Sequence, residues 1–187
     1  MNELLWYTSR ATGTASIVLL TGVVILGATI SGRGARSRDG ATIVTALHRW
    51  LSLGMTVFLL LHVATAVVET YVSIDLVSAV FPFTSGYEPL WVGLGTLAFD
   101  LFVAVMVTSM LRQRISDRGW RFVHWAAYLM WPLAILHGFI LGTADEPLLR
   151  LTTVACAVAG GAAIVWRSGV THHDTDRRRH VAAQEWS

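Results

Sequence analysis

Five apolar runs of membrane-spanning length constrain the fold of this chain more than any other feature of its sequence. A helix needs about 20 consecutive apolar residues to cross the hydrocarbon core of a bilayer. The runs make up most of the 187 residues, of which 54% are hydrophobic and only 14% are charged, which indicates an integral membrane protein. The runs lie at Leu4–Ile30, Thr42–Thr70, Leu90–Leu111, Trp120–Leu141 and Leu148–Trp166.

We therefore predict an all-α integral membrane protein built as a bundle of five transmembrane helices. Residues 1–170 form one membrane domain in this interpretation. Residues 171–187 are polar, lack hydrophobic periodicity and are expected to form a flexible cytoplasmic tail. The first run is kept as a helix because it is too long for a signal peptide and begins with Asn2 and Glu3 instead of positive charge.

The basic residues, all arginine, are concentrated in alternate loops. They lie around the gaps after the first, third and fifth runs, whereas the charged residues after the second and fourth runs are acidic, with Arg150 as an exception. By the positive-inside rule, the arginine-rich loops and the C-terminus are cytoplasmic and the N-terminus is outside. The arginines concerned are Arg33, Arg36, Arg38, Arg112, Arg114, Arg118, Arg121, Arg167, Arg177, Arg178 and Arg179.

Four histidines lie inside the apolar runs, where an ionisable side chain is costly and indicates a functional site. His48 and His62 are fourteen residues apart in the second run, and His124 and His137 are thirteen apart in the fourth. These intervals correspond to about 21 and 20 Å along a helix. Because the second and fourth runs are parallel, His48 and His124 form an inner pair near the cytoplasm, and His62 and His137 form an outer pair.

Each histidine pair offers two imidazole nitrogens at one depth in the membrane. This arrangement predicts two stacked b-type haems, each with two axial histidines, as suits electron transfer. Cys156 is the only cysteine, so C-x-x-C-H attachment is excluded and the haems are expected to bind noncovalently. The four histidines are thus the predicted iron ligands.

The thirteen-residue interval fits a straight helix poorly. At about 100° per residue, it leaves His137 about 140° away from the face that carries His124. Pro132 lies between them and removes a helical hydrogen bond. We therefore predict either a distortion near Trp131 and Pro132 or two haems approached from different sides of this helix.

Two other functions remain open at this point. In a haem-free membrane anchor, the histidines would bond to neighbouring helices. In a small metal transporter, they would cluster with carboxylates around one ion. The separation of about 20 Å along the helix excludes such clustering between the two levels.

Four segments of the chain carry a resemblance to a known family: HRWLSLGMTVFLLLH at 48–62, HWAAYLMWPLAILH at 124–137, YTSRATG at 7–13 and VTSMLR at 107–112. They resemble the ferric reductase-like transmembrane domain. This family includes NADPH oxidases, ferric reductases and the haem-binding membrane subunit of bacterial methionine sulfoxide reductase systems. The resemblance implies that His48 and His124 bind an inner haem and that His62 and His137 bind an outer one. It also implies electron flow from a cytoplasmic donor, through both haems, to an acceptor outside.

The expected partners follow from the same resemblance and from one departure. The sequence has no G-x-G-x-x-G unit, so we expect an oxidoreductase component without its own flavin or nicotinamide domain. Its donor would be a cytoplasmic flavin reductase or quinol, and its acceptor a partner oxidoreductase, ferric iron or oxygen. Bound flavin or quinone is left open, no nucleic-acid partner is expected, and the location implied is a bacterial inner (plasma) membrane, crossed several times.

Three arginines are candidates for binding haem propionates through charge-assisted hydrogen bonds. Arg10 lies in the outer part of the first helix and would serve the outer haem, or would snorkel to the surface. Arg49 and Arg121 lie near the inner histidines, although the positive-inside rule alone accounts for arginine there. No catalytic residue is assigned.

Two core residues, two acidic residues and one loop complete the set of candidates. Met55 and Trp131 follow the inner histidines by seven residues and lie between the proposed haems or simply pack in the core. A structural role is expected for Asp100, and a solvated position for Glu69. Residues 71–89 are expected to contain a short interfacial helix that covers the outer haem.

Overall fold

A computed structural model describes residues 3–31, 38–69, 74–142 and 146–185. The predicted all-helical fold is confirmed, and five helices are long and apolar enough to cross a membrane. The elements are α1 (Glu3–Ser31), α2 (Arg38–Val68), α3 (Leu76–Val80), α4 (Pro89–Met110), α5 (Asp117–Trp125), α6 (Ala127–Leu141) and α7 (Pro147–Glu185). The fourth span consists of α5 and α6 together.

Helix α1 is the centre of the bundle although it is rich in serine and threonine. Its hydroxyl groups donate to backbone carbonyls one turn earlier, as Thr12 does to Thr8, Ser16 to Thr12 and Thr21 to Ile17. A hydroxyl satisfied within its own helix needs no water, which allows such a helix to lie in lipid. Helices α2, α6 and α7 pack directly against α1.

The remaining spans are arranged around α6, which packs against α4, α1 and α7. The core lies midway along the bundle, where α1, α2, α4 and α6 contribute large apolar side chains. Tight packing of such side chains is the main force between helices in lipid. The buried core residues are Leu20, Val24, Met55, Ala98, Phe102, Met130 and Trp131.

Helix α2 lies at the edge of the bundle. Within the described residues it packs along α1 and touches α3, but it makes no close backbone approach to α6. Helix α2, which carries His48 and His62, is therefore separated by a gap from α5 and α6, which carry His124 and His137.

Helix α7 continues beyond its membrane-spanning part and ends at Glu185. The polar segment from 171 onward is thus helical up to Glu185, whereas its composition indicated an irregular chain. Its flexibility and cytoplasmic location stay predictions. Arg33 and Arg36, which contribute to the predicted orientation, lie outside the described residues.

Candidate functional site

The four intramembrane histidines meet in two pairs across the gap between α2 and the α5–α6 span. The ring centres of His62 and His137 are 6.2 Å apart, and those of His48 and His124 are 6.3 Å apart. The structure thus brings the rings together in the predicted inner and outer pairs.

The separation of the rings distinguishes two kinds of contact. A direct hydrogen bond between two imidazole nitrogens, about 2.9–3.0 Å long, would place the ring centres about 5.2 Å apart. Two rings that bind one metal ion through bonds of about 2.0–2.1 Å have centres about 6.4 Å apart when the ion lies between them. Both observed separations, 6.2 and 6.3 Å, fit the second arrangement.

Three of the rings are oriented by hydrogen bonds from Nδ1 to backbone carbonyl oxygens. His62 donates to Ser9 at 2.8 Å, His137 to Trp91 at 2.8 Å and His48 to Val23 at 3.1 Å. A carbonyl oxygen only accepts, so Nδ1 carries the proton and Nε2 of each neutral ring keeps its lone pair. This is the usual outer hydrogen bond of a metal-binding histidine.

His124 is the exception among the four histidines. Its Nδ1 is buried and has no hydrogen-bond partner among the described residues. Its ring instead stacks on Trp120, with ring centres 4.7 Å apart and planes inclined by 21°. The inner pair therefore has one hydrogen-bonded ring and one stacked ring.

A cavity of about 200 Å³ opens beside the outer pair and extends to the middle of the bundle. His62 and His137 line it at one end, and Met55, Phe102 and Met130 line it at the other. Its wall is mostly apolar. Two Nε2 lone pairs beside an apolar cavity fit a haem, because the porphyrin supplies the remaining iron ligands.

The chain accommodates the thirteen-residue interval by a break at Ala126, between α5 and α6. Backbone bonds of the tighter i to i+3 type join Val123 to Ala126 and Ala126 to Leu129. Each residue in such a turn advances about 20° further than in an α-helix, which moves His124 and His137 toward a common face.

Of the two predicted alternatives, a distortion is present, but it lies at Ala126 and not near Trp131 and Pro132. An approach of two haems from different sides of this helix stays a prediction. Helix α6 passes through Pro132, and the break comes six residues earlier. Proline conflicts with the carbonyl group four residues before it, here that of Tyr128, so its effect falls close to Ala126.

The family described as ferric reductase like transmembrane component matches residues 12–135, about two thirds of the chain. The chain belongs to this family. No curated protein and no solved structure matches it significantly. Membership in the ferric reductase-like family implies transmembrane electron transfer in general, and the family usually binds haem.

The ferric reductase-like match contains His48, His62 and His124 but ends two residues before His137. The fourth histidine is therefore placed by geometry, through its ring contact with His62 and its hydrogen bond to Trp91. Sequence reasoning did not find the carbonyl groups of Ser9, Val23 and Trp91, because any residue type can supply a carbonyl.

Arg10 lines the same cavity as the outer histidines. Its Nη1 donates to the carbonyl oxygen of Leu141 at 3.0 Å, and its guanidinium lies 4.3 Å from the centre of the Trp6 ring. Its Nε is buried without a hydrogen-bond partner among the described residues. Arg10 is thus held inside the bundle, and its Nε can donate a further hydrogen bond beside the outer pair.

The other two predicted propionate ligands are placed differently. Arg49 and Arg121 both have exposed side chains. Their position leaves the inner propionate role as a prediction.

Glu69 corrects one expectation of the sequence. We expected a solvated carboxylate, but only 3% of the residue is exposed. Helix α2 ends at Val68, whose side chain is exposed, and Glu69 follows outside the helix. The direction of its side chain is therefore not set by the helical pattern.

Met55 and Trp131 are both buried in the core, but only Met55 lines the cavity. Trp131 donates from Nε1 to the hydroxyl of Thr21 at 3.0 Å, and its ring lies against Gly160 of α7. Trp131, on α6, therefore contacts both α1 and α7 and has a packing role. Asp100 is half-buried on α4, and its expected structural role stays a prediction.

The short helix expected in the loop after α2 is confirmed as α3. Asp75 caps it by accepting hydrogen bonds from the backbone and hydroxyl of Ser78, at 2.8 and 2.5 Å. The hydroxyl of Thr96 on α4 donates to the carbonyl oxygen of Ser78 at 2.7 Å. Ser78 and Ala79 in turn line the cavity, so α3 forms part of its wall.

Proposed function

We propose that this protein is a di-haem b-type membrane cytochrome that relays electrons across a bacterial plasma membrane. His48 and His124 would bind the inner haem, and His62 and His137 the outer haem. The observation that carries this proposal is the separation of the paired rings, 6.3 and 6.2 Å, together with Nδ1 hydrogen bonds that leave Nε2 free.

The residues of the chain have two tasks in this function. The paired histidines would hold the iron of each haem through two imidazole nitrogens, as suits electron transfer. Met55, Phe102 and Met130 are buried between the two levels and give the cavity an apolar wall there. Each haem, when bound, supplies an iron that takes up and releases one electron.

Arg10 is the proposed partner of the outer haem propionates. It lies beside the outer pair, and its unpartnered Nε is available for a charge-assisted hydrogen bond to a carboxylate. Arg49 and Arg121 are proposed for the inner propionates, since exposed arginines at a membrane surface reach anionic groups there.

The proposed direction of electron flow combines the orientation that arginine predicts with the cytoplasmic donor that the family resemblance implies. With the C-terminus in the cytoplasm, a cytoplasmic flavin reductase or quinol would reduce the inner haem. The outer haem would pass the electron to a partner oxidoreductase, ferric iron or oxygen outside. Reduction of the haems in isolated membranes, measured with and without the quinone pool, distinguishes quinol from a flavin reductase as donor.

The assignment of the ligands is tested by replacing one histidine of each pair. His137→Ala is expected to lose the outer haem and His124→Ala the inner haem, so that each purified variant keeps about one haem per chain. His180→Ala, in the polar C-terminal segment, is the control and should keep both. Full haem content in His137→Ala and His124→Ala would contradict the proposal and favour a haem-free anchor or a metal transporter.

A further inference from the structure

Three of the four histidine rings rest on the same backbone arrangement, which we call a glycine seat. In each, the Nδ1 of the histidine donates to the carbonyl oxygen of one helical residue, and the residue four positions later is glycine. The seats are Ser9 with Gly13 for His62, Val23 with Gly27 for His48, and Trp91 with Gly95 for His137.

Helical geometry explains why glycine occupies the fourth position after the carbonyl. A helical carbonyl already accepts the N–H of the residue four positions later, so a second donor must approach over that residue. A Cβ at Gly95 would lie 2.5 Å from Nδ1 of His137, and one at Gly13 would lie 2.9 Å from Nδ1 of His62. At Gly27 the nearest atom, Cε1 of His48, is 3.5 Å away, which is ordinary contact.

The two seats on α1 repeat at the interval of the histidines on α2. Gly13 and Gly27 are fourteen residues apart, as are His62 and His48. Because α1 and α2 follow each other along the chain and pack side by side, both rings of α2 meet a seat on α1.

The fourth position has no glycine seat. Thirteen residues after Gly95, the interval between His124 and His137, α4 carries Thr108. The hydroxyl of Thr108 donates to the carbonyl oxygens of Ala104 and Val105, at 2.7 and 3.1 Å. The carbonyl that a fourth seat would use is thus already bonded, in agreement with the unpartnered Nδ1 of His124.

We propose that Gly13 and Gly95 are positioning residues for the outer haem ligands, and that Gly27 has the same role, less stringently, for one inner ligand. This inference rests on the proposed function. The seats hold His62 and His137 through Nδ1, which raises the basicity of Nε2 and favours ferric iron. The outer iron would have two hydrogen-bonded ligands and the inner iron one.

The test compares single glycine-to-alanine variants by haem content per chain and by optical redox titration. Gly95→Ala, at the closest approach, is expected to lose the outer haem and keep the inner one. Gly13→Ala is expected to lose part of its outer haem and to shift the midpoint potential of the remainder to a more positive value. Gly27→Ala should keep both haems.

Gly22→Ala on α1 and Gly161→Ala on α7 are the controls, because a Cβ at Gly22 meets only Leu51 at 3.7 Å and one at Gly161 meets nothing within 4 Å. The surviving inner haem reports that Gly95→Ala is folded. Loss of both haems or of neither in Gly95→Ala would overturn the proposal, as would equal losses in the controls. Wild-type protein without haem would instead refute the proposed function itself.

Discussion

An imidazole inside a membrane acquires a defined role only when both of its nitrogens have partners. For His48, His62 and His137, one nitrogen is bound to a backbone carbonyl, and the other is left for a ligand. The sequence interval predicts which rings share a level, because it depends only on helical rise. It does not predict the tautomer, which depends on carbonyl groups contributed by other helices.

Arg10 provides a test at the same scale. Replacing Arg10 with Gln removes a positive charge beside the outer haem, so the reduced form loses stabilisation and the outer midpoint potential should fall. We expect a shift on the order of 30–60 mV, since 59 mV corresponds to a tenfold change for one electron. Redox titration of the purified protein measures it.

Arg150→Gln is the matched control for Arg10→Gln. Arg150 is exposed near the start of α7 and lies 5.2 Å from the centre of the Phe139 ring. An unchanged outer potential in Arg10→Gln, or an equal shift in Arg150→Gln, would show that Arg10 does not contact the propionates.

At the scale of the helices, apolar length predicted the spans, but the break within the fourth span was not placed correctly. The mismatch between thirteen residues and the helical period indicated that some distortion was needed. The break lies at Ala126, six residues before Pro132, and the period mismatch alone does not locate it. The same limit applies to Glu69, whose burial depends on where α2 ends.

Two adjacent glycines of α7 test the contact that ties this helix to the core. A Cβ at Gly160 would come within 2.7 Å of Cε2 of Trp131, whereas a Cβ at Gly161 meets nothing within 4 Å. Gly160→Ala should therefore cost about 1–3 kcal/mol through overpacking. In detergent, this corresponds to a decrease in Tm of roughly 3–10 °C. Gly161→Ala should leave Tm unchanged or raise it, and equal effects would contradict this account.

Helix α3 gives a pH-dependent prediction. Hydrogen bonds from the hydroxyl and backbone of Ser78 lower the pKa of Asp75 below its usual value. A carboxylate with a depressed pKa stabilises the folded form above its usual pKa of about 3.9, and this stabilisation is lost as the pH falls through the lowered pKa. Amides 76–80 should therefore lose protection from hydrogen exchange in acid.

Asp75→Asn and Asp75→Ala separate the cap from its charge. Asparagine is also a good helix cap, so Asp75→Asn should keep the protection but lose its dependence on pH. Asp75→Ala should exchange faster at neutral pH as well. Acid sensitivity that persists in Asp75→Asn would assign the effect to another group.

At the scale of the whole molecule, the chain is a multi-pass membrane protein of the ferric reductase-like family. Five spans place the two termini on opposite sides of the membrane. The bias of arginine toward alternate loops predicts which side is cytoplasmic. In the proposed function, this orientation decides which histidine pair would receive the electron first.

Cysteine labelling tests the orientation. Thr84 lies between α3 and α4 and Ser116 between α4 and α5, and both are exposed, whereas the native Cys156 is buried. Thr84→Cys should react with a membrane-impermeant maleimide in intact cells. Ser116→Cys should react only after the membrane is permeabilised, and the reverse pattern would invert the proposed direction of electron flow.

The central claim is that the two histidine pairs hold two haems, and the haem content of the purified wild-type chain tests it most directly. Extracted haem, quantified as its pyridine complex against protein concentration, should give two haem b per chain. The reduced protein should show the low-spin spectrum of irons with two histidine ligands. A folded, colourless protein, or one with a single haem per chain, would contradict the account.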